Sequence, residues 1–509
     1  MTATQARSVT PGGSRASFDV INPGTGETIG THPVHTAEDV AQRLEAARVA
    51  QRWWAEQGWA GRRKAMIRWV RWLAAHCEEL YELGHQETGR PLGDVQMEFV
   101  AGIEEVRWTA TNARRILRSR AVAPGMAMVN FQAHVSHEPL GVVGVITPWN
   151  VPIYTVLSGI ASALAAGNAV IVKPSELSAG AGAYVVESFA RANPEAPPGL
   201  VSCVTGLGET GAALCRSGVD KLAFTGSVPT GRRVMAACAE SLTPVVLELG
   251  GKDATIVAAD ADLEAAAAAV VWGSFFNAGQ ACVGVERVYV VREVRDAFLD
   301  LVKTQVAGVS VGLEPAASYG PMITPAQVEV VRRHIEAATA AGAGLLAGGA
   351  ASVRPPYIEP VVLVDVPEDN PAVTEETFGP VVVINTVSDL DEAVRRANGT
   401  SFGLGGSVFS RRHGAAIARR LRAGGVTVNA VLSFVGMPSV PFGGVDHSGF
   451  GRFHGADGLR EFTYAKSIVR KRFAMGPDVQ TFPRTQEQYD LVRRMVRLRY
   501  ERRLRPGGE

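Results

Sequence analysis

Cys282 is the residue of this sequence most open to a chemical reading. It stands two positions after a Gly-Gln pair in "FFNAGQACVGVERV" (275–288), among small and apolar neighbours. A thiolate is a strong nucleophile, yet a free cysteine is also a small hydrophobe that packs in cores. The segment alone leaves both readings open. The other four cysteines, Cys77, Cys203, Cys215 and Cys238, are scattered with no C-x-x-C pair. That pattern predicts a reducing compartment and neither a disulfide framework nor a metal site.

Two glycine loops offer phosphate chemistry. "GLGETG" (206–211) is a literal G-x-G-x-x-G after a strand-like run, but a second glycine motif takes the place of the expected acid some 20 residues on. That motif, "FTGSVPTGRRV" (224–234), brackets a strand-to-helix turn with Gly226 and Gly231. Its glycines let the backbone approach a pyrophosphate, and the helix start supplies free N–H groups. We therefore place the pyrophosphate at Gly226 and Ser227. In "VKPSE" (172–176), Lys173 and Glu176 are spaced to reach both hydroxyls of an adenosine ribose. A carboxylate there favours a 2′-OH over a 2′-phosphate.

These residues need a scaffold. "INPGTGETIG" (21–30) reads as a hairpin, and two helices follow near 37–57 and 61–86, the second with apolar residues at i, i+3, i+4, i+7. From about 140, β-branched runs such as "GVVGVITPWN", "NAVIVKPSE" and "KLAFTGS" alternate with helical stretches. A second alternation runs from about 252 to 430. Both predict parallel βαβ units, hence two α/β domains. With 51 Lys or Arg against 50 Asp or Glu, the charge balance asks for no nucleic acid. The N-terminal residues lack an apolar signal core, and the longest apolar run (265–276) is too short to span a bilayer. A cytoplasmic protein is expected.

Taken in order, "TPWN", "KPSE", "FTGSVPTG", "LELGGKDA", "FFNAGQAC", "EETFGP", "VTVNA" and "PFGGVDHSGFGR" resemble the motifs of the NAD(P)-dependent aldehyde dehydrogenase superfamily, in its hydrolytic, acid-forming branch. The resemblance runs from roughly residue 20 to 470. It implies an aldehyde dehydrogenase fold: a Rossmann-like NAD-binding domain (1–125 and 139–250), an α/β catalytic domain (251–447) and a β-strand oligomerisation arm (126–138 and 461–473). Homodimers or homotetramers follow from such an arm.

The resemblance also implies roles. Cys282 matches the nucleophile that forms a thiohemiacetal and then a thioester. Asn150 matches the side-chain amide that meets the oxyanion together with the cysteine's own N–H. Glu248 of "LELGG" matches the base that activates water to hydrolyse the thioester. Trp149, Gly226 and Ser227 match positions lining NAD, Lys173 and Glu176 the adenosine ribose pair, and Glu376 and Phe378 the residues at the nicotinamide ribose and ring. NAD is the expected cofactor, with NADP also compatible. Val151, Tyr154, Leu157, Phe434, Val435 and Phe442 match a substrate tunnel; all are apolar or aromatic, which favours an uncharged aliphatic or aromatic aldehyde. No arginine stands at those positions to clamp a carboxylate.

One departure is plain. The family often has Gly-Arg-Glu where this chain has "GRF" (451–453), and Phe453 cannot relay a proton from Glu248; either Glu248 exchanges its proton directly with water or another group, such as His454, substitutes. Two other functions compete. In a coenzyme-A-acylating dehydrogenase, CoA takes the acyl group in place of water, but such enzymes generally lack the glutamate that Glu248 matches. A retired enzyme kept as an NAD-binding protein would have little use for Cys282, Glu248 and Asn150 together. The tail (474–509) is a basic amphipathic segment, suited to a neighbouring subunit or a membrane surface.

Overall fold

The computed structural model describes residues 16–125, 128–474, 482–483 and 485–501. Residues 1–15, on which the absence of a signal core was read, and parts of the arm and tail lie outside this set. Two compact units are present, Met1–Leu117 with Glu138–Tyr464, and Arg118–His137 with Ala465–Glu509.

Within the larger unit, the runs after residue 140 form a six-stranded sheet. Its parallel strands, in spatial order, are Val245–Glu248, Lys221–Thr225, Val142–Ile146, Ala169–Lys173 and Val201–Cys203. Gly449–Phe450 adds antiparallel to the outer edge. Helices cover these strands on both faces, so they are apolar nearly throughout rather than alternating. The first of these strands in chain order, Val142–Ile146, lies in the interior, and connections leave it in opposite directions. Its C-terminal end and that of Lys221–Thr225 therefore flank a crevice, the place where open parallel sheets bind ligands.

A seven-stranded sheet follows. Its order is Gly344–Ala347, Val361–Val364, Val381–Val387, Val285–Val291, Asp253–Val257, Gly405–Phe409 and Gly425–Val428, all parallel except the first. The loops that enter its strands at 251–252, 276–284 and 376–380 carry Cys282, Glu376 and Phe378, to which the sequence reading gives roles. The site thus forms where strand exits of one sheet meet strand entrances of the other.

Two helical features differ from the sequence reading. The helix expected over 61–86 is two, Gly58–Ala75 and Cys77–Thr88, broken at His76, whose backbone (φ −126°, ψ 26°) leaves the helical region. The apolar repeat continues through the break, so periodicity does not register it. A helix over Leu92–Leu117 was not anticipated. It buries Val95, Phe99, Gly102, Val106, Ala110, Ala113 and Leu117, a stripe at helical spacing.

That helix also supplies a cap. Pro152–Ala166, directly after the first strand's loop, has no side-chain N-cap of its own. Instead Glu98 accepts from the backbone N–H of Ile153 (2.6 Å) and Tyr154 (2.9 Å), and pairs with Arg90 in the interior. A carboxylate at a helix N-terminus satisfies orphan donors and complements the dipole. Glu87 does the same for Ala179–Ala192, accepting from Gly180 and Ala181.

In the smaller unit, Thr463–Lys471, Phe131–Pro139 and Arg120–Val122 form a three-stranded sheet in that order. A helix, Gln486–Tyr500, starts at a capping box between Thr485 and Gln488.

Candidate active site

The segment that presents Cys282 is built on strained backbone. After Leu263–Phe275 the chain makes a short turn in which Asn277 (φ 54°), Ala278 (φ 54°) and Gly279 (φ 70°) are all left-handed. Asn277 tolerates this better than most residues. Gly279 has no substitute, because a Cβ there would lie 2.1 Å from the carbonyl oxygen of Gly379. Gly279→Ala is expected to cost about 1–3 kcal/mol from backbone strain alone, and more from the collision. Thermal melting and kcat/KM should fall together; a wild-type melting temperature with wild-type activity would show that the loop does not need this geometry.

Buried amides tie this loop to the end of the first strand. Asn150 Nδ2 donates to the Gln280 carbonyl (2.9 Å), and Asn277 Nδ2 donates back to the Asn150 carbonyl (3.0 Å). Gln280 in turn donates to Asn277 O and Pro321 O and accepts from Ile323 N–H. A primary amide has two N–H donors, and the Gln280 carbonyl takes one of those on Asn150.

The double glycine of "LELGGK" has a geometric reason. A Cβ on Gly250 would sit 2.2 Å from Glu376 Oε2, and one on Gly251 would sit 2.4 Å from the Cys282 carbonyl oxygen. Both loops close on this point, and Gly251 N–H donates to Glu376 Oε1 (2.9 Å). Glu248, one turn of chain earlier, ends its strand with its carboxyl buried. Its Oε1 has no hydrogen-bond partner among the described residues.

Electrostatically the site resists negative charge. Burial, then the charges of Glu376 and Asp253, push the Glu248 carboxyl well above the usual carboxylate range. Burial, then Glu248, Asp253 and Glu376, push the Cys282 thiol up too, opposed by a hydrogen bond from the Val283 backbone. Glu376 itself is raised to about 8, by burial first and Glu286 second.

Cys282, Glu248, Asn150, Trp149, Gly226, Ser227, Glu376 and Phe378 all line one cavity of about 440 Å³. Trp149 and Phe378 meet edge to face there, centroids 5.7 Å apart at 86°. Val151, Tyr154, Val435 and Phe442 are on its wall as expected. Leu157 and Phe434 are not. Leu157 turns onto Gly102, where a Cβ would come within 2.6 Å of it, and Phe434 packs over Gly425 and stacks behind Phe442. Lys173 and Glu176 lie outside this cavity, 3.8 Å apart; the Lys173 ammonium is buried and donates to the Pro174 carbonyl (3.0 Å). The literal fingerprint at 206–211 does not reach the cavity either.

Sequence reasoning missed several residues that hold the site. Glu286 accepts from Thr377 and Phe378 N–H groups and from Lys252 Nζ, fixing the loop that carries Glu376 and Phe378. A glutamate inside the apolar strand "VERVYVV" was the available signal, since a buried charge needs partners. Phe453 and His454, both singled out in the sequence, also line the cavity. His454 is held in a left-handed conformation (φ 58°) and contacts Tyr154 Oη through Nε2 at 2.7 Å. Burial lowers its pKa to about 3, so it is neutral.

Comparison with known proteins shows the family. Residues 9–468 match the aldehyde dehydrogenase family. The chain is 37% identical over 474 residues to 4,4'-diapolycopene aldehyde oxidase of Methylomonas sp, spanning 92% of this chain and 89% of that one. It is 37% identical over 472 residues to betaine aldehyde dehydrogenase of Cereibacter sphaeroides, spanning 91% and 95%. Among solved structures, NAD-dependent aldehyde dehydrogenase from Sinorhizobium meliloti superposes with a TM-score of 0.86 at 33% identity, covering 91% of this chain and 93% of that one.

Proposed function

Because the chain belongs to the aldehyde dehydrogenase family, we propose that it oxidises an uncharged aliphatic or aromatic aldehyde to the carboxylic acid. Cys282 is the nucleophile, Glu248 the base and Asn150 the oxyanion donor. The observation that carries this is their convergence, from three separate segments of the chain, on one largely apolar cavity.

The residues present fit a dinucleotide. The strand order leaves a crevice between Val142–Ile146 and Lys221–Thr225. The helix Val228–Ala239 begins beside it with no side-chain cap on its first N–H groups, a setting that suits a pyrophosphate. Ser227 and Gly226 would hold that group, Lys173 and Glu176 the adenosine ribose, Glu376 the other ribose, and Trp149 and Phe378 the ring. When bound, the dinucleotide accepts a hydride. Glu176 favours NAD over NADP. In this reading the six-stranded part is the dinucleotide-binding domain and the seven-stranded part the catalytic one.

The Cys282 sulfur adds to the carbonyl carbon as its proton passes to water. The oxygen that becomes negative is met by the free N–H of the Asn150 amide and by the Cys282 backbone N–H. Departure of the hydride leaves a thioester on Cys282. Glu248 then takes a proton from water as the water oxygen attacks the thioester, and the thiolate leaves. Phe453 makes no hydrogen bond to Glu248, so the base must return its proton without a neighbouring carboxylate on that side.

The neutral cavity supports the substrate class. Arg90 reaches the wall, but Glu98 neutralises it and both side chains are only 2% exposed. A carboxylate-bearing substrate would have to displace that partner. NADH formation across aldehydes of varied length, charge and aromaticity, with NAD and with NADP, tests the reading. Uncharged substrates with NAD should give the highest kcat/KM; a strong preference for succinic semialdehyde, or for NADP, would overturn it.

The arm has a role of its own in this proposal. Thr463–Lys471 is an edge strand of nine residues with Ile468 and Val469 exposed. Long uncovered edges invite pairing, and a second copy of the chain is the partner we assign to it, in a homodimer or homotetramer.

A further inference from the structure

We propose that the helix Gln486–Tyr500 docks the enzyme on an anionic lipid surface. At 100° per residue, Leu491, Met495, Leu498, Val492, Val496 and Tyr489 fall on one arc of this helix. All six are exposed, Leu498 at 69% and Val496 at 51%. Arg493, Arg494 and Arg497 fall on the opposite arc with Glu487 and Asp490, and Arg493 pairs loosely with Asp490 (3.7 Å). Two polar residues fall within the apolar arc, Gln488 in the capping box at its start and Arg499 at its end, where the guanidinium lies over the Tyr500 ring. An exposed apolar face backed by arginines is the pattern of a helix that lies in a bilayer interface. It does not span: among the described residues no helix is long and apolar enough to cross a membrane.

Charge selects the lipid over other partners. Of the 51 basic and 50 acidic residues in the chain, 12 and 5 fall within 465–509, leaving 39 and 45 elsewhere. A positive segment on a body of slight acidic excess directs one region toward an anionic surface while the remainder is repelled from it. Long arginine side chains lay their stems along apolar surface and extend their heads to phosphate. This extends the proposed function, on which it rests for the benefit gained: an apolar aldehyde concentrates in the bilayer, and a docked enzyme meets it there.

Vesicle sedimentation of the full-length protein tests the docking without any substrate. The wild type should sediment with vesicles of phosphatidylcholine and phosphatidylglycerol, far less with phosphatidylcholine alone, and be released as salt rises. Arg493→Gln, Arg494→Gln and Arg497→Gln together should lower the partition about a hundredfold. Val492→Asp with Val496→Asp should abolish it. Turnover of a short, water-soluble aldehyde and the melting temperature should stay at wild-type values in both variants, which shows that the body is folded. Absence of sedimentation with anionic vesicles, or undiminished binding in both variants, would overturn the proposal. So would a change in oligomeric mass by light scattering in the variants when the wild type ignores vesicles, since a second copy would then cover this face. Failure of the aldehyde assay in the wild type would instead strike the proposed function, and vesicle binding would still be read independently.

Discussion

Cys282→Ser is expected to remove aldehyde-dependent NADH formation, lowering kcat/KM at least about 10⁴-fold. The substitution changes one atom and keeps the backbone N–H, so the melting temperature should stay near the wild-type value. The chemistry changes far more. A serine hydroxyl needs an adjacent base to attack a carbonyl, whereas burial raises the pKa of the nearby carboxyls Glu248, Glu376 and Asp253 and His454 is engaged with Tyr154. Even the thiol is pushed up there, and an alkoxide would be far harder to form. No other cysteine can substitute, because Cys77, Cys203, Cys215 and Cys238 are all off the cavity. The variant should still bind NAD, measured by fluorescence quenching. Activity above about a tenth of wild type would remove Cys282 from the nucleophile's role.

Much of the scaffold that positions Cys282 is legible in the sequence, for a physical reason. Strands buried on both faces must be continuous apolar runs, and "GVVGVI", "NAVIVK" and "KLAFT" are. Their glycine-containing exits then mark where ligands bind. The two glycine loops show the limit of that logic. Both follow strands and precede helices, but Gly206 exists for its φ of 149° and for close contact with Thr210, while Gly226 and Ser227 face the cavity. Pattern cannot separate a packing glycine from a ligand glycine; the strand order does, because only one loop sits at the reversal of connection.

What stayed hidden depends on partners distant in the chain. Glu98 lies in a stretch where the sequence reading placed no element, and only folding shows it capping a helix at Ile153 and Tyr154. Glu286 acts on amides at 377 and 378. The misplaced wall residues, Leu157 and Phe434, have the same cause. An apolar side chain near a tunnel can face the lumen or pack behind it, and the choice is made by a glycine opposite, Gly102 or Gly425. Two further wall residues, Trp272 and Met97, come from helices that carry no motif.

Glu248→Gln separates the two halves of the reaction. The amide keeps the shape but accepts no proton, so acylation should proceed and hydrolysis should stall. Mixing enzyme with NAD and aldehyde should give a burst of about one NADH per site, then a steady rate lower by about 10²–10⁴, with the acyl group retained on Cys282 and visible by mass. The pH dependence carries a second sign. In the wild type the Glu248 pKa is raised, by burial first and then by Glu376 and Asp253, so the carboxylate needed for hydrolysis appears only as pH rises well above the ordinary carboxylate range. Steady-state turnover should climb over that interval, and the variant should lose the climb. Glu248 also raises the Cys282 thiol. Neutralising it should move the midpoint of thiol alkylation to lower pH, a shift that a merely structural glutamate would not give. If coenzyme A rather than water released the acyl group, adding it would restore turnover in the variant, and the chain would belong to the acylating branch instead. If no burst appears and the alkylation midpoint stays where it was, Glu248 is not the base.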